Sequence, residues 1–187
     1  MVSIAPPDRP LTVGDLAELP DDGMTYELIW EELSVTPAPI PKHQRVSRDL
    51  VMKIHDFIWD GGLGEVLYAP VDVHLDKHNV VQPDIVAFKE ANRSFLTEDG
   101  VMHPPDLVVE ILSQHGRSRD LVKKRLLYAN FGIAEYWIVD PQLETIHVYV
   151  LEGDYYADRP AADGVARSRV FPGLEVDSRE LFDLSRR

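Results

Sequence analysis

The chain reads as an α/β or α+β domain, and three features of its 187 residues predict it. Apolar residues recur every four positions across 41–60, the mark of a long amphipathic helix. The runs 106–112 and 136–139 are almost continuously apolar, as strands buried on both faces should be. The order helix, three strands, strand, helix, strand then describes a sheet covered by helices. No linker, repeat or low-complexity tract divides residues 1–187, so one domain is expected.

The elements follow in order. Pro6, Pro7 and Pro10 mark residues 1–11 as an extended arm. Thr12 and Asp15 have the spacing of a capping box, opening a short helix that ends before Pro20. Tyr26-Glu27-Leu28-Ile29 and Glu32-Leu33-Ser34-Val35 predict a hairpin, although Trp30-Glu31 is poor chemistry for its turn. In the long helix Val46, Leu50, Ile54 and Ile58 form the stripe, Val51 and Phe57 widen it, and Gly61-Gly62 stops it. Strands are expected at 65–69, 71–75 and 80–88, followed by a polar loop or flap over 89–105. Strand 106–112 carries one acid, Glu110. A second helix is predicted over 118–131, closed by Gly132, and then strand 136–139, ended by Asp140-Pro141. Segments 145–151 and 155–157 suggest a meander, and Leu181-Phe182 a short terminal element. Hairpin and meander would decorate the central sheet.

Composition removes several function classes. With no cysteine there is no disulfide framework, thiolate zinc site, iron–sulfur cluster or cysteine nucleophile. That usage suits a reducing cytoplasm, which is the expected location. The opening residues lack a cationic segment followed by an apolar core, so no signal peptide is expected. Apolar runs reach only about four or five residues against the ~20 of a membrane span, so no membrane association is expected. The net charge of −13 argues against a protein that coats nucleic acid, yet leaves room for an enzyme with a local basic patch.

Two acids sit where an ordinary core would not put them. Asp84 follows Pro83 inside an apolar run, and Glu110 lies in the most hydrophobic stretch of the chain. An isolated interior carboxylate is costly unless a cation or hydrogen bonds compensate it. On neighbouring strands the two could converge on a divalent ion, since hard Mg²⁺ prefers oxygen ligands. The alternative is that each sits at a strand end facing water or an arginine, and for either acid alone this is the commoner arrangement. The second helix supplies cations: Arg117, Arg119, Lys123, Lys124 and Arg125 accompany a single acid, Asp120, in the most basic window of the chain. Asp120, Lys124 and Tyr128 share a helix face at i, i+4 and i+8. On spacing alone that face is a solvated one with an ion pair; its departure directly from the Glu110 strand argues for a site.

Taken together, Val81-Gln82-Pro83-Asp84, Pro105-Asp106-Leu107-Val108-Val109-Glu110-Ile111-Leu112-Ser113, Asp120…Lys124…Tyr128 and Gly132…Glu135-Tyr136-Trp137-Ile138-Val139-Asp140-Pro141 resemble the Uma-two-type endonuclease family. That family lies in the PD-(D/E)xK, restriction-endonuclease-like superfamily. The likeness extends upstream to Tyr26-Glu27-Leu28-Ile29 and His43, and downstream to Pro172-Gly173-Leu174. The resemblance implies a restriction-endonuclease-like core, a central mixed β-sheet flanked by helices.

By position, Asp84 and Glu110 match the superfamily's two acids. Leu112 stands where many members have lysine, and Lys124 matches the lysine that such variants use instead. Glu27 matches an acid that can complete the metal site, and His43 could touch a phosphate or water. Gln82 and Tyr128 are supporting candidates. The implied function is a metal-dependent DNA endonuclease, with Asp84, Glu110 and the Ile111 carbonyl holding Mg²⁺ or Mn²⁺ and Arg117, Arg119, Lys123 and Arg125 holding phosphates. A homodimer would suit two cuts in a duplex. Two other readings remain: a catalytically silent binding module that keeps the fold, favoured by Leu112 and the −13 charge, and a hydrolase of a small phosphoester or nucleotide. Because Lys124 is expected on a helix surface, its replacement by alanine should alter stability by no more than about 1 kcal/mol.

Overall fold

The computed structural model describes residues 9–98, 100–113 and 120–183, so most of the predicted arm lies outside it. Thr12 and Asp15 form the expected capping box around α1 (Val13–Leu16). The Asp15 carboxylate accepts from the Thr12 N–H and hydroxyl, both at 2.8 Å, and from the Arg9 guanidinium. These donors, Arg9 foremost, hold its carboxyl below the usual carboxylate range.

The hairpin falls where the alternation puts it. β1 (Thr25–Ile29) pairs antiparallel with β2 (Glu32–Thr36), and Ile29 faces Glu32, leaving a two-residue turn. Positive φ at both positions makes it the type I′ form, which Trp30 (53°) and Glu31 (67°) adopt without glycine or asparagine. A neighbouring turn holds it in place. The Trp30 N–H donates to Asn79 Oδ1 at 2.7 Å, and the Asn79 amide donates to Asp76 at 2.9 Å.

In α2 (Pro41–Asp60) the predicted stripe of Val46, Leu50, Ile54 and Ile58 is fully buried. Pro41 opens the helix, where its missing N–H costs nothing. Four strands follow: β3 (Gly64–Tyr68), β4 (Val73–Asp76), β5 (Asn79–Val81) and β6 (Ile85–Lys89). The single strand expected over 80–88 is therefore two, in different sheets. Pro83 has no N–H for a ladder, and at Gln82-Pro83-Asp84 the chain crosses from one sheet to the other. The expected loop over 89–105 is also structured. It holds a 3₁₀ helix (Glu90–Phe95) and a minimal hairpin, β7 (Leu96–Thr97) with β8 (Gly100–Val101). These pieces are too short for a hydrophobic period; Asn92, donating to both carboxylate oxygens of Asp106, ties the segment down.

β9 (Leu107–Ile111) is buried throughout. A π-helical turn (Asp120–Lys124) leads into α3 (Arg125–Asn130), and Gly132 follows at φ 73°. β10 (Glu135–Asp140), parallel to β9, is also wholly buried. The meander, β11 (Thr145–Glu152) and β12 (Tyr155–Pro160), extends the central sheet rather than decorating it, because β11 continues the ladder on β10. β13 (Val165–Arg167), β14 (Glu175–Asp177) and α4 (Ser178–Phe182) complete the described chain.

Among the described residues the central sheet runs β12-β11-β10-β9-β6-β3, and a second runs β2-β1-β5-β4-β8-β7. Side chains alternate across the central sheet. Ile85, Val109 and Trp137 pack with α2 on one face, whereas Val86, Val108 and Tyr136 pack with Leu127 and Tyr128 of α3 on the other. Alternation therefore turns Glu110 toward α3. Among the described residues no helix is long and apolar enough to cross a membrane.

The turn yields a test. Left-handed backbone disfavours residues other than glycine, so Glu31→Gly should raise the unfolding free energy by about 1 kcal/mol in urea titration. An unchanged or lower value would mean that the turn stores no such strain.

Candidate active site

The site begins with strand register. β6 and β9 pair antiparallel with Ile85 opposite Val109, and one further step sets Asp84 against Glu110 where the ladder ends. Beyond the ladder the two side chains take different partners, Glu110 meeting Lys124 and Tyr128, and Asp84 meeting His43. Asp84 is fixed by its own strand partner: the Ile111 N–H donates to Asp84 Oδ2 at 2.7 Å. His43, buried in the first turn of α2, places Nε2 3.0 Å from the Ile111 carbonyl oxygen and 3.3 Å from Asp84 Oδ1. A proton on Nε2 thus serves carbonyl and carboxylate together.

The lysine arrives from the other side of the sheet. Lys124 Nζ lies 2.8 Å from Glu110 Oε1 and 2.8 Å from Glu27 Oε1. Tyr128, one turn on, donates its hydroxyl to Glu110 Oε1 at 2.6 Å. Glu27 Oε1 also accepts the Gln82 N–H at 2.9 Å, at the crossing between sheets. Lys124 and Glu27 are each 3% exposed and Glu110 5%. At such burial a lone ammonium would be costly, and two carboxylates with charge-assisted hydrogen bonds offset that cost. Burial, reinforced by the charges of Glu110 and Glu27, pushes the Tyr128 phenol well above its usual range, so it remains a donor.

This placement corrects the expectation for Lys124: it is a buried residue joining two sheets, not a surface one. At position 112 the Leu112 side chain fills the apolar cluster that includes Leu127 and Tyr128, and the ammonium comes from the helix instead.

His43, Gln82, Asp84, Glu110, Ile111 and Lys124 border one cavity of about 790 Å³. Glu27 and Tyr128 stand behind it, gripping Lys124 and Glu110. Gln82 donates through its side chain to Asp72 at 2.7 Å. The basic window is less unified than its sequence suggested. Lys123 pairs with the exposed Glu32 at 2.5 Å, and the Arg125 guanidinium lies 5.4 Å from the Tyr149 ring centre. Neither borders the cavity. Arg117 and Arg119 lie outside the described residues.

Sequence reasoning passed over Arg48, Met52 and Tyr68, which also border the cavity. An exposed helix residue or strand end carries no signal of what it faces. It also passed over Glu135, a fully buried acid beginning an apolar run, which accepts from Trp137 Nε1 and the N–H groups of Arg169 and Val170. Its pattern in the chain is like that of Glu110. Only the surroundings separate a structural carboxylate from one at a cavity.

The cavity's chemistry suits a divalent cation. Glu27 and Glu110 share one ammonium and Asp84 adds a third carboxylate beside His43, which leaves an excess of negative charge. Asp84, Glu110 and the Ile111 carbonyl offer hard oxygen donors at its edge. Among the described residues no three His, Asp or Glu side chains form a ready-made cage. Mg²⁺ does not require one, since it takes one or two carboxylates and keeps several waters.

A mixed sheet with acids at the ends of adjacent strands and a lysine from the following helix defines a restriction-endonuclease-like fold. The same fold appears in a crystal structure described as a "putative nuclease belonging to DUF820" from Anabaena variabilis ATCC 29413. The two are 22% identical with a TM-score of 0.77, over 92% of this chain and 98% of that one. The chain belongs to the Uma2 family, described as "Putative restriction endonuclease", whose model matches residues 13–181. No curated protein matches it.

Lys124→Met should strand two buried carboxylates and destabilise the fold by about 3–5 kcal/mol. Tyr128→Phe, which removes one hydrogen bond to Glu110, should cost about 1–3 kcal/mol. Urea unfolding of both variants checks the pair; a Lys124→Met loss below that of Tyr128→Phe would contradict the bridge.

Proposed function

We propose that the protein is a metal-dependent DNA endonuclease hydrolysing phosphodiester bonds in the cytoplasm. One observation supports this over a silent binding module: a buried ammonium held between Glu27 and Glu110 at the edge of the cavity that Asp84 also borders. A module in which the bridge served the fold alone would not need Asp84, Glu110 and the Ile111 carbonyl at the edge of an open cavity.

Asp84, Glu110 and the Ile111 carbonyl would hold Mg²⁺ or Mn²⁺. When bound, the ion would supply polarisation of the scissile phosphate and a lower pKa for the attacking water. The remaining work falls to the chain. Lys124 offsets negative charge developing on the phosphorane oxygens, or orients the water. Glu27 is a positioning residue that fixes the ammonium. Tyr128 orients the Glu110 carboxylate. His43 keeps Asp84 and the Ile111 carbonyl together, so the oxygen donors are arranged before any ligand arrives.

Asp84→Asn is the informative variant, because asparagine can still accept from the Ile111 N–H but carries no charge. Mg²⁺ or Mn²⁺ should raise the melting temperature of the wild type through binding to the folded state, and this gain should largely vanish in Asp84→Asn. Equal shifts in both would place the ion elsewhere. In oligonucleotide cleavage with Mg²⁺, Asp84→Asn should lose about a hundredfold or more in rate, the scale of removing a transition-state charge partner. No cleavage by the wild type with any divalent ion would favour the binding module.

A further inference from the structure

Among the described residues, the walls of the cavity are poor in cations. Among the described residues bordering it, the basic ones are Arg48 and Lys124. Arg48 pairs with Asp49 at 2.8 Å, and Lys124 is held between Glu27 and Glu110. Binding a DNA duplex rests on Lys and Arg contacts to phosphate, and neither the cavity nor the net charge of −13 favours it. Access points the same way. The Asp84 side chain is 17% exposed, and Glu110 and Lys124 lie deeper. A flexible strand lowers a phosphate into such a recess more readily than a rigid double helix does.

The mouth offers apolar and aromatic surface instead. Tyr68 ends β3 and is 62% exposed. Its ladder partner is Ile85, the residue after Asp84, and the next N–H, that of Ala69, donates to the Asp84 carbonyl at 3.0 Å. The ring is thereby anchored beside the strand end that carries the acid. Met52, on the α2 side of the cavity, is 56% exposed. Continuing along that helix at i+3 and i+7, His55 and Trp59 stack nearly parallel, 9° apart with centroids at 5.8 Å. Trp59 lies about 10 Å beyond Met52 at 1.5 Å per residue.

We infer that this protein takes its nucleic acid as an unpaired strand, whose bases stack on Tyr68 beside Asp84 and, further along α2, on the His55–Trp59 pair. The inference rests on the hydrolase reading for the reaction. Stacking on aromatic rings, alongside cationic contacts to the backbone, is the usual grip on single strands, and only an unpaired base offers its face to such a ring.

The test separates binding from cleavage. Fluorescence anisotropy with Asp84→Asn protein in Mg²⁺ compares a labelled single-stranded dodecanucleotide with the duplex of the same sequence. The single strand should bind about tenfold more tightly or better, and Tyr68→Ala in that background should remove about tenfold of its affinity, as expected for one lost base stack. Tyr68→Phe, which keeps the ring, should bind as the parent does. Trp59→Ala should weaken binding of the dodecanucleotide but not of a tetranucleotide. Tighter or equal binding of duplex, or no effect of Tyr68→Ala, overturns the inference even if the wild type cleaves DNA. Strand-selective, Tyr68-dependent binding without cleavage by the wild type would leave the inference standing and remove the hydrolase reading. No binding to either form would remove both.

Discussion

The buried bridge Glu27–Lys124–Glu110 is the interaction on which the rest of the structure depends. Glu27 belongs to the sheet of the N-terminal hairpin, Glu110 to the central sheet, and Lys124 to the helical segment between β9 and β10. One ammonium thus joins three parts of the chain. Its burial makes the contact demanding, since each member would be an uncompensated interior charge without the others. The same oxygen of Glu27 accepts the Gln82 N–H at the point where the chain passes between sheets. Two residues later comes Asp84. The bridge therefore also governs where the second acid stands.

This economy explains features that look unfavourable in isolation. The hairpin accepts a turn of Trp30 and Glu31 at positive φ, yet β1 must run in this register for Glu27 to meet Lys124. Asn79 braces the turn from the adjoining strand. The migration of lysine from the strand to the helix leaves Leu112 free to fill the apolar space beneath α3, and places the ammonium where two glutamates reach it. The cavity that results is acidic and apolar rather than basic, and phosphate recognition by a broad cationic face has no counterpart among the described residues bordering it.

Much of this was legible in the sequence, for physical reasons. The four-residue period of α2 and the apolar runs of β9 and β10 reflect burial, which composition records directly. An acid within such a run is costly, so Asp84 and Glu110 stood out. Lys124 was legible as a residue but not in its environment: three cations in a row look alike on paper, and burial separates Lys124 from Lys123. The break at Pro83 was visible, yet an uninterrupted apolar pattern on either side of it concealed the change of sheet. The structured segment over 90–101 and the exposed ring of Tyr68 escaped, because side-chain hydrogen bonds and surface position leave no periodic trace.

The central claim is that Lys124 and Glu27 are energetically one unit. A double-mutant cycle on Glu27→Gln and Lys124→Met, read by urea unfolding, measures this without reference to activity. The account predicts a coupling of about 2 kcal/mol or more, with the double variant far less destabilised than the two single losses combined. Additive losses would show that the two charges ignore one another, and would contradict it.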